Sequence, residues 1–287
     1  LDTALFQQFA EIAYRRSGIR LSAGKEALVS SRIGKRIRIL GLRDPNAYLE
    51  YLLADDGDEL VNFLDVISTN FTSFFREPEH FQLLSELVKS RHQEGRGRLR
   101  FWSAASSSGE EAYTMAVTIA DTLADAHVDW RILGTDISTR ILAAAEAATY
   151  PMSALRDVPK HLRSKYFHPV GSKSDEDPLY QVRDVLRKHV TFKRLNLSSP
   201  PFPMRGPLDA VFCRNVMIYF DQRVRQGLVA AIEDLMAPDG IFFVGHAETL
   251  NGLTTRFRAV RPSVYVLTDA APQYTSRHSN HAKGHPR

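Results

Sequence analysis

The 287-residue chain holds a single cysteine, Cys213, so no intrachain disulfide framework is available to it. It has no apolar run of membrane-spanning length, and its first twenty residues lack the apolar segment of a secretory signal. The expectation is a cytoplasmic protein that does not insert into a membrane. Net charge is also small: 37 Lys and Arg against 33 Asp and Glu leave +4, too little to argue for nucleic acid. Internal repeats and collagen-like or coiled-coil composition are absent. What remains is a globular chain whose 44% apolar content can bury one large core or two modest ones.

The charge that is present is unevenly placed. Arg15 to Arg43 contains nine basic residues and one acid, Glu26. On a helical wheel Val29, Ile33, Ile37 and Leu40 share one side, and Lys25, Arg32, Lys35, Arg36 and Arg38 spread over the rest. A solvated face is the plain reading; an acidic partner is the functional one. No aromatic residues interleave with the basic ones as they do on single-strand binding surfaces, so an acidic protein is preferred to nucleic acid.

From Leu5 to about Leu87 apolar residues recur at helical spacing, and the polar, glycine-containing "RHQEGRGRLR" (Arg91–Arg100) reads as a boundary. The expected division is a helical region over 1–90, a second domain over 91–270 and a disordered tail over 271–287. In the second domain short apolar runs ("LRFWSA", "RILGTDI", "LDAVFCRNV", "GIFFVGH") alternate with helical segments, which predicts an α/β fold with a mainly parallel sheet. Tyr166 to Leu197, with the strand-like pieces "LYQVRDVL" and "HVTFKRLNL", reads as a small antiparallel β insertion, although one piece is free to join the main sheet.

The stretch "FWSAASSSGEEAYTMAV" (Phe101–Val117) is a strand, a turn of small residues and a helix, the arrangement that holds ligands at the carboxyl edge of a parallel sheet. Gly109 is its only glycine, so the three-glycine dinucleotide pattern fails. Glu110 and Glu111 follow it, where a phosphate cradle would not place negative charge. Asp136, ending the next strand in "LGTDIS", is suited to accept hydrogen bonds from both hydroxyls of a ribose; its alternative role, capping the following helix, falls equally to Ser138. Acids at such a turn suit a nucleoside that is cationic and lacks phosphate. S-adenosylmethionine, with a sulfonium, an ammonium and a ribose, meets that description.

Five segments in order, "STNFTSFFREPEHF" (Ser68–Phe81), "WSAASSSGEEAYTMA" (Trp102–Ala116), "TDIS" (Thr135–Ser138), "FCRNVMIYFD" (Phe212–Asp221) and "LMAPDGIFFVGHAETL" (Leu235–Leu250), resemble the CheR family of chemoreceptor glutamate methyltransferases over about Phe6 to Leu267. The resemblance implies a Rossmann-like S-adenosylmethionine methyltransferase sheet with an all-helical N-terminal domain. It further implies that Asn70, Thr72 and Arg76 reach the cofactor from the helical side and that Glu110 and Asp136 hold it from the sheet. Asn196 and Leu197 would flank the adenine, and Arg214 with Asn215 would line the other wall. Glu111 is read as structural or rim, and Phe220 as core. Two positions depart from the pattern: Ala105-Ser106 where the family often has Gly-Cys, and Ala112 where it has proline. Neither removes a side chain assigned to the cofactor. Taken singly, Asn70 and Thr72 read as local caps and Arg76 as a surface arginine.

The implied chemistry needs no metal and no general base, because glutamate with a reference pKa of about 4.3 is ionised at neutral pH. Arg76 and Tyr219 are expected to orient the acceptor carboxylate. The basic helix, through Arg32, Lys35 and Arg36, is expected to meet the receptor's cytoplasmic helices. Asp175, Glu176 and Asp177, offset in their loop only by Lys173, argue against a tethering receptor pentapeptide added to the insertion's edge. Two alternatives stay open at this stage: a non-catalytic receptor-docking or cofactor-sensing module, and a methyltransferase acting on another carboxylate.

Overall fold

The computed structural model describes residues 1–22, 24–55, 57–68, 71–124, 126–171 and 176–268. Asn70, Lys173, Asp175 and the tail over 271–287 therefore lie outside the described residues. Among the described ones no helix is long and apolar enough to cross a membrane.

Four helices come first: α1 (Thr3–Ser17), α2 (Glu26–Leu40), α3 (Pro45–Ala54) and α4 (Asp58–Ile67). Asp2 caps α1 by accepting from the Leu5 amide at 2.8 Å, and Asp44 caps α3 from Ala47 at 2.9 Å with Pro45 in the first turn. Phe9, Ile33, Tyr48, Phe63 and Leu64 close a core of their own. Glu59 is buried within it. Its carboxylate takes two guanidinium bonds from Arg36 and one from the Tyr48 hydroxyl at 2.8 Å.

That triad corrects the expectation for the basic face. Arg36 is turned inward onto Glu59, and Arg32 donates to the carbonyls of Ile67 (2.8 Å) and Ser68 (2.9 Å). Of the three residues expected to meet a partner, only Lys35 is exposed. A wheel orders side chains about their own axis and carries no information about the buried carboxylate that α4 brings alongside.

Next come α5 (Glu79–Gln93), β1 (Arg98–Ser103), α6 (Glu110–Leu123), β2 (Asp129–Asp136), α7 (Thr139–Ala147), β3 (Thr149–Pro151), α8 (Lys160–Tyr166), β4 (Phe167–Val170), β5 (Leu179–Val182), α9 (Asp184–Arg187), β6 (Val190–Arg194), β7 (Leu208–Cys213), α10 (Gln222–Leu235), β8 (Met236–Val244), β9 (Phe257–Arg261) and β10 (Val264–Leu267). The main sheet has seven strands in the order β6-β2-β1-β7-β8-β10-β9, parallel from β6 to β8 and antiparallel beyond. Side-chain alternation along the strands feeds two cores. Phe101, Phe212 and Phe243 join the layer of α5 and α6, whereas Trp102, Val211 and Phe242 join that of α10. The chain leaves β1 toward β2 on one side and returns to β7 on the other, so the crevice at the carboxyl ends of β1 and β7 is the switch point where this architecture binds ligands.

Two boundaries differ from those expected. Phe81, Leu84, Leu87 and Val88 of α5 pack into the sheet's core, so the change of core falls between α4 and α5, ahead of residue 90. The polar run at Arg91–Arg100 spans the end of α5, a short turn and the start of β1 within one core, and Arg91 is buried against Asp239. The antiparallel sheet, in the order β3-β5-β4, begins at Thr149 and ends at Val182. Its first strand was hidden by having three residues, one a proline. "HVTFKRLNL" supplies β6, which pairs in parallel with β2, because α9 gives the chain a crossover back to the main edge.

The Arg36–Glu59 pair generates a stability prediction. Arg36→Glu places two carboxylates together in a buried site and is expected to cost about 3–5 kcal/mol, read as a lowered urea midpoint. Lys35→Glu at the exposed neighbouring position should stay within about 0.5 kcal/mol. Equal effects of the two substitutions would refute the inward placement.

Candidate cofactor cleft and acceptor site

The cleft lies between the N-terminal helices and the carboxyl ends of β1, β2 and β7. Two close contacts seat the helices there. Gly18 ends α1 with φ 71°, and a Cβ on it would meet the Ser198 side chain at 2.6 Å; Asn196 donates to the Arg16 carbonyl at 2.9 Å.

The turn after β1 is held by strand-end backbone. Ala104 donates to Phe212 and Ser106 to Thr135, each at 2.8 Å. Gly109 adopts φ 97°, and an added Cβ would strike the Tyr150 hydroxyl at 2.8 Å, so the turn needs glycine there. Asp136 accepts from the Ser107 amide (3.0 Å) and the Ser138 amide (3.1 Å), and the Ser138 hydroxyl takes over capping of α7. Asp136 thus joins the turn to the strand end and still has lone pairs facing the cleft. Burial pushes its carboxyl above the usual aspartate range.

The two consecutive acids divide. Glu111 lines the cleft and accepts from Ser103 (2.7 Å) and Arg214 (3.2 Å). Glu110 is buried, takes a bond from the Ser108 hydroxyl at 2.7 Å, and is not among the lining residues. Successive helical residues point about 100° apart, so only one of the pair can face the ligand. Of the two it is Glu111, expected from the sequence to be structural or rim, that lines the cleft. Burial raises the pKa of both.

Thr72, Arg76, Asn196, Leu197, Arg214, Asn215 and Tyr219 all line the same cleft, as does Phe220. Arg214 is buried and donates to Glu77 at 2.9 Å, to Glu111 and to the Arg76 carbonyl. Asn215 follows in a left-handed conformation, φ 58°. The sequence reading also missed Arg32 and Lys25 as lining residues, and Glu248. The Glu248 carboxylate accepts from the amides of Asn215 (2.7 Å), Gly245 (2.7 Å) and Ile218 (3.2 Å), holding the loop that carries Asn215 and Tyr219. Its signal lay in "GHAETL", a segment quoted for resemblance without a role for the acid.

Behind Arg214, the groups Glu77, His80 and His246 bring ligand-type atoms within 4.8 Å of one another. Glu77 is already engaged by Arg214, and the arrangement is accounted for as an ion-pair network. His80 is fully buried without a hydrogen bond at either ring nitrogen. Its pKa is pushed down to about 4 by burial, to which the Arg214 charge adds.

The all-alpha domain of the CheR methyltransferases matches residues 4–68, and the SAM binding domain of the same methyltransferases matches residues 70–266. The chain belongs to the CheR methyltransferase family. It is 37% identical to the chemotaxis protein methyltransferase of Salmonella typhimurium, covering 93% of this chain and 91% of that one. It is 38% identical to that of Escherichia coli, covering 93% and 92%, and 37% identical to chemotaxis protein methyltransferase 2 of Pseudomonas aeruginosa, covering 91% of each. The protein is a SAM-dependent methyltransferase, and the cleft fits that cofactor. Partly buried acids at the end of β2 and the start of α6 suit a cationic nucleoside, and the turn has none of the successive glycines that phosphate would need.

If Asp136 holds the ribose of this CheR-family enzyme, Asp136→Ala weakens S-adenosylhomocysteine by about 1.5–3 kcal/mol per lost charge-assisted bond without loss of fold; calorimetry showing unchanged affinity removes it from the site. His80 gives a pH dependence. The unfolded chain takes up a proton near 6.5 and the folded one only near 4, so between these values the unfolded state binds more protons. Stability is then fully present above pH 6.5, is lost as pH falls toward 4, and is flat below. The loss is about 3 kcal/mol in urea titrations, and His80→Gln should abolish this component.

Proposed function

We propose that this methyltransferase esterifies glutamate side chains on the cytoplasmic helices of chemoreceptors, adjusting receptor output, and that it acts in the cytoplasm. The observation that carries the reading is the polarity of the cleft. At the strand ends it presents Asp136, with Glu111 balanced by Arg214, while the N-terminal side presents the cations Arg76, Arg32 and Lys25. A cationic cofactor suits the first and an acidic acceptor the second.

The bound cofactor supplies an activated sulfonium methyl group. The protein's part is positioning. Arg76 donates to the Phe71 carbonyl at 3.1 Å, which leaves guanidinium N–H groups for an acceptor carboxylate, and Tyr219 lies across the same opening with Lys25 5.4 Å from its ring. Orientation of this kind is worth roughly 7–11 kcal/mol of barrier at best. An arginine that neutralised the carboxylate fully would hold the ground state too tightly, so Arg76 orients more than it neutralises. Thr72, Asp136, Asn196, Leu197, Arg214 and Asn215 are assigned to the cofactor, with Glu111 beside them; Asn70 and Glu110 keep the assignment on resemblance alone.

Docking to the receptor is assigned to the exposed cations of α2, Lys35 and Arg38, with Arg32 acting at the cleft and Arg36 serving the fold. A tethering peptide is not required in this reading. Glu176 and Asp177 stand near the antiparallel sheet, Asp177 fastened to the Ser153 amide at 2.9 Å, and an edge flanked by acids repels a terminal carboxylate.

The test uses receptor-containing membranes and cofactor labelled in its methyl group. Label that becomes protein-bound and is released by mild base, as carboxyl esters are, is the expected outcome; base-stable label, or none, overturns the function. Receptors lacking their last five residues should be labelled at an unchanged rate, and a marked fall would restore the tethering peptide.

A further inference from the structure

Two exposed large apolar side chains line the mouth of the cleft, and a third sits in the turn that carries the lining residue Tyr219. Phe71 is 74% exposed, Ile218 54% and Leu28 45%. Phe71 and Leu28 line the opening, and Ile218 immediately precedes Tyr219. They come from three separate elements: α2, the segment after α4 and the turn after β7.

Each is also held in place. Leu28 precedes Val29, which is locked in the helical core. The Phe71 carbonyl accepts from Arg76, whose guanidinium lies 5.5 Å from the Phe71 ring. The Ile218 amide is bound by Glu248. Exposed, pre-positioned apolar groups around a polar opening are a feature of surfaces that bind a partner.

Resting on the proposed function, we infer that Phe71, Ile218 and Leu28 form an apolar lip that packs on the receptor helix around the acceptor glutamate. On a helix the residues three and four positions either side of a glutamate share its face, about 5–6 Å away. When that glutamate enters the cleft, those side chains come down on the lip. The occupant is the substrate helix itself, because the acceptor must pass this opening and the cations beside it, Arg76, Arg32 and Lys25, complement its carboxylate. A small free acid would have no use for the rim. The lip therefore selects glutamates whose neighbours at these positions are apolar or small, and a charged residue there is excluded.

The experiment compares Leu28→Ser, Ile218→Ser and the double variant with the unaltered enzyme. It measures initial methylation rates against receptor concentration at low and moderate salt, and S-adenosylhomocysteine affinity by calorimetry. The double variant is expected to raise KM for receptor about tenfold, with kcat within threefold, cofactor affinity within twofold and an unchanged salt dependence. Apolar contact is not screened as charge is. An unchanged KM overturns the lip. So does cofactor affinity falling in step with KM, which would place these residues in the cofactor site, and so does a steeper salt dependence. An inactive unaltered enzyme removes the proposed function and the lip with it, whereas an active one with indifferent variants removes the lip alone.

Discussion

The site depends on one buried guanidinium. Arg214, at the end of β7, binds Glu77 and the Arg76 carbonyl on the segment from the helical domain, and Glu111 on α6. Its plane lies near the rings of Phe81 and Phe212, 5.6 and 5.9 Å away. Five donors in a rigid fork let one side chain satisfy three groups from two directions, which a lysine could not do. Removal would leave the largely desolvated carboxylates of Glu77 and Glu111 without their arginine partner and free the segment bearing Arg76. Arg214 therefore shapes the cleft whatever part it plays against the cofactor.

The electrostatics follow from that tie. Asp136, Glu110 and Glu111 are all pushed upward by burial. Carboxyls raised in the folded state favour the fold at low pH and weaken it as pH rises through their range. In the cofactor-free enzyme these partly desolvated carboxyls therefore carry negative charge at a cost. A cationic ligand relieves this burden, and binding and stability are linked through the same groups.

Much of this was legible in the sequence. The alternation of short apolar runs gave the parallel sheet, and "WSAASSSGEEAYTMA" with "TDIS" gave the binding edge, because strand, small-residue turn and helix are local patterns. Thr72, Arg76, Asp136, Asn196, Leu197, Arg214, Asn215 and Tyr219 do line one cleft. What stayed hidden was set by partners distant in sequence. Arg36 looked like a surface charge until Glu59 appeared beside it. Glu110 and Glu111 were separable only by the helix phase at the crevice. Glu248 lay in the recognisable segment "GHAETL", but nothing local marked it as the anchor of a loop thirty residues earlier. The β3 strand was too short for any periodicity to show.

The seam between Asn196 and the Arg16 carbonyl, with Gly18 packed on Ser198, has a consequence for biosynthesis. The cleft is closed by contacts such as 16 with 196, 77 with 214 and 215 with 248, all remote along the chain. Contacts between residues remote in sequence slow folding relative to local ones. The four N-terminal helices have a core of their own and are free to collapse as they emerge from the ribosome. The binding crevice cannot exist until the segment after β8 has been made. A nascent or C-terminally truncated chain without the segment after β8 therefore has its N-terminal helices but lacks the Glu248 carboxylate that holds the amides of Asn215 and Ile218.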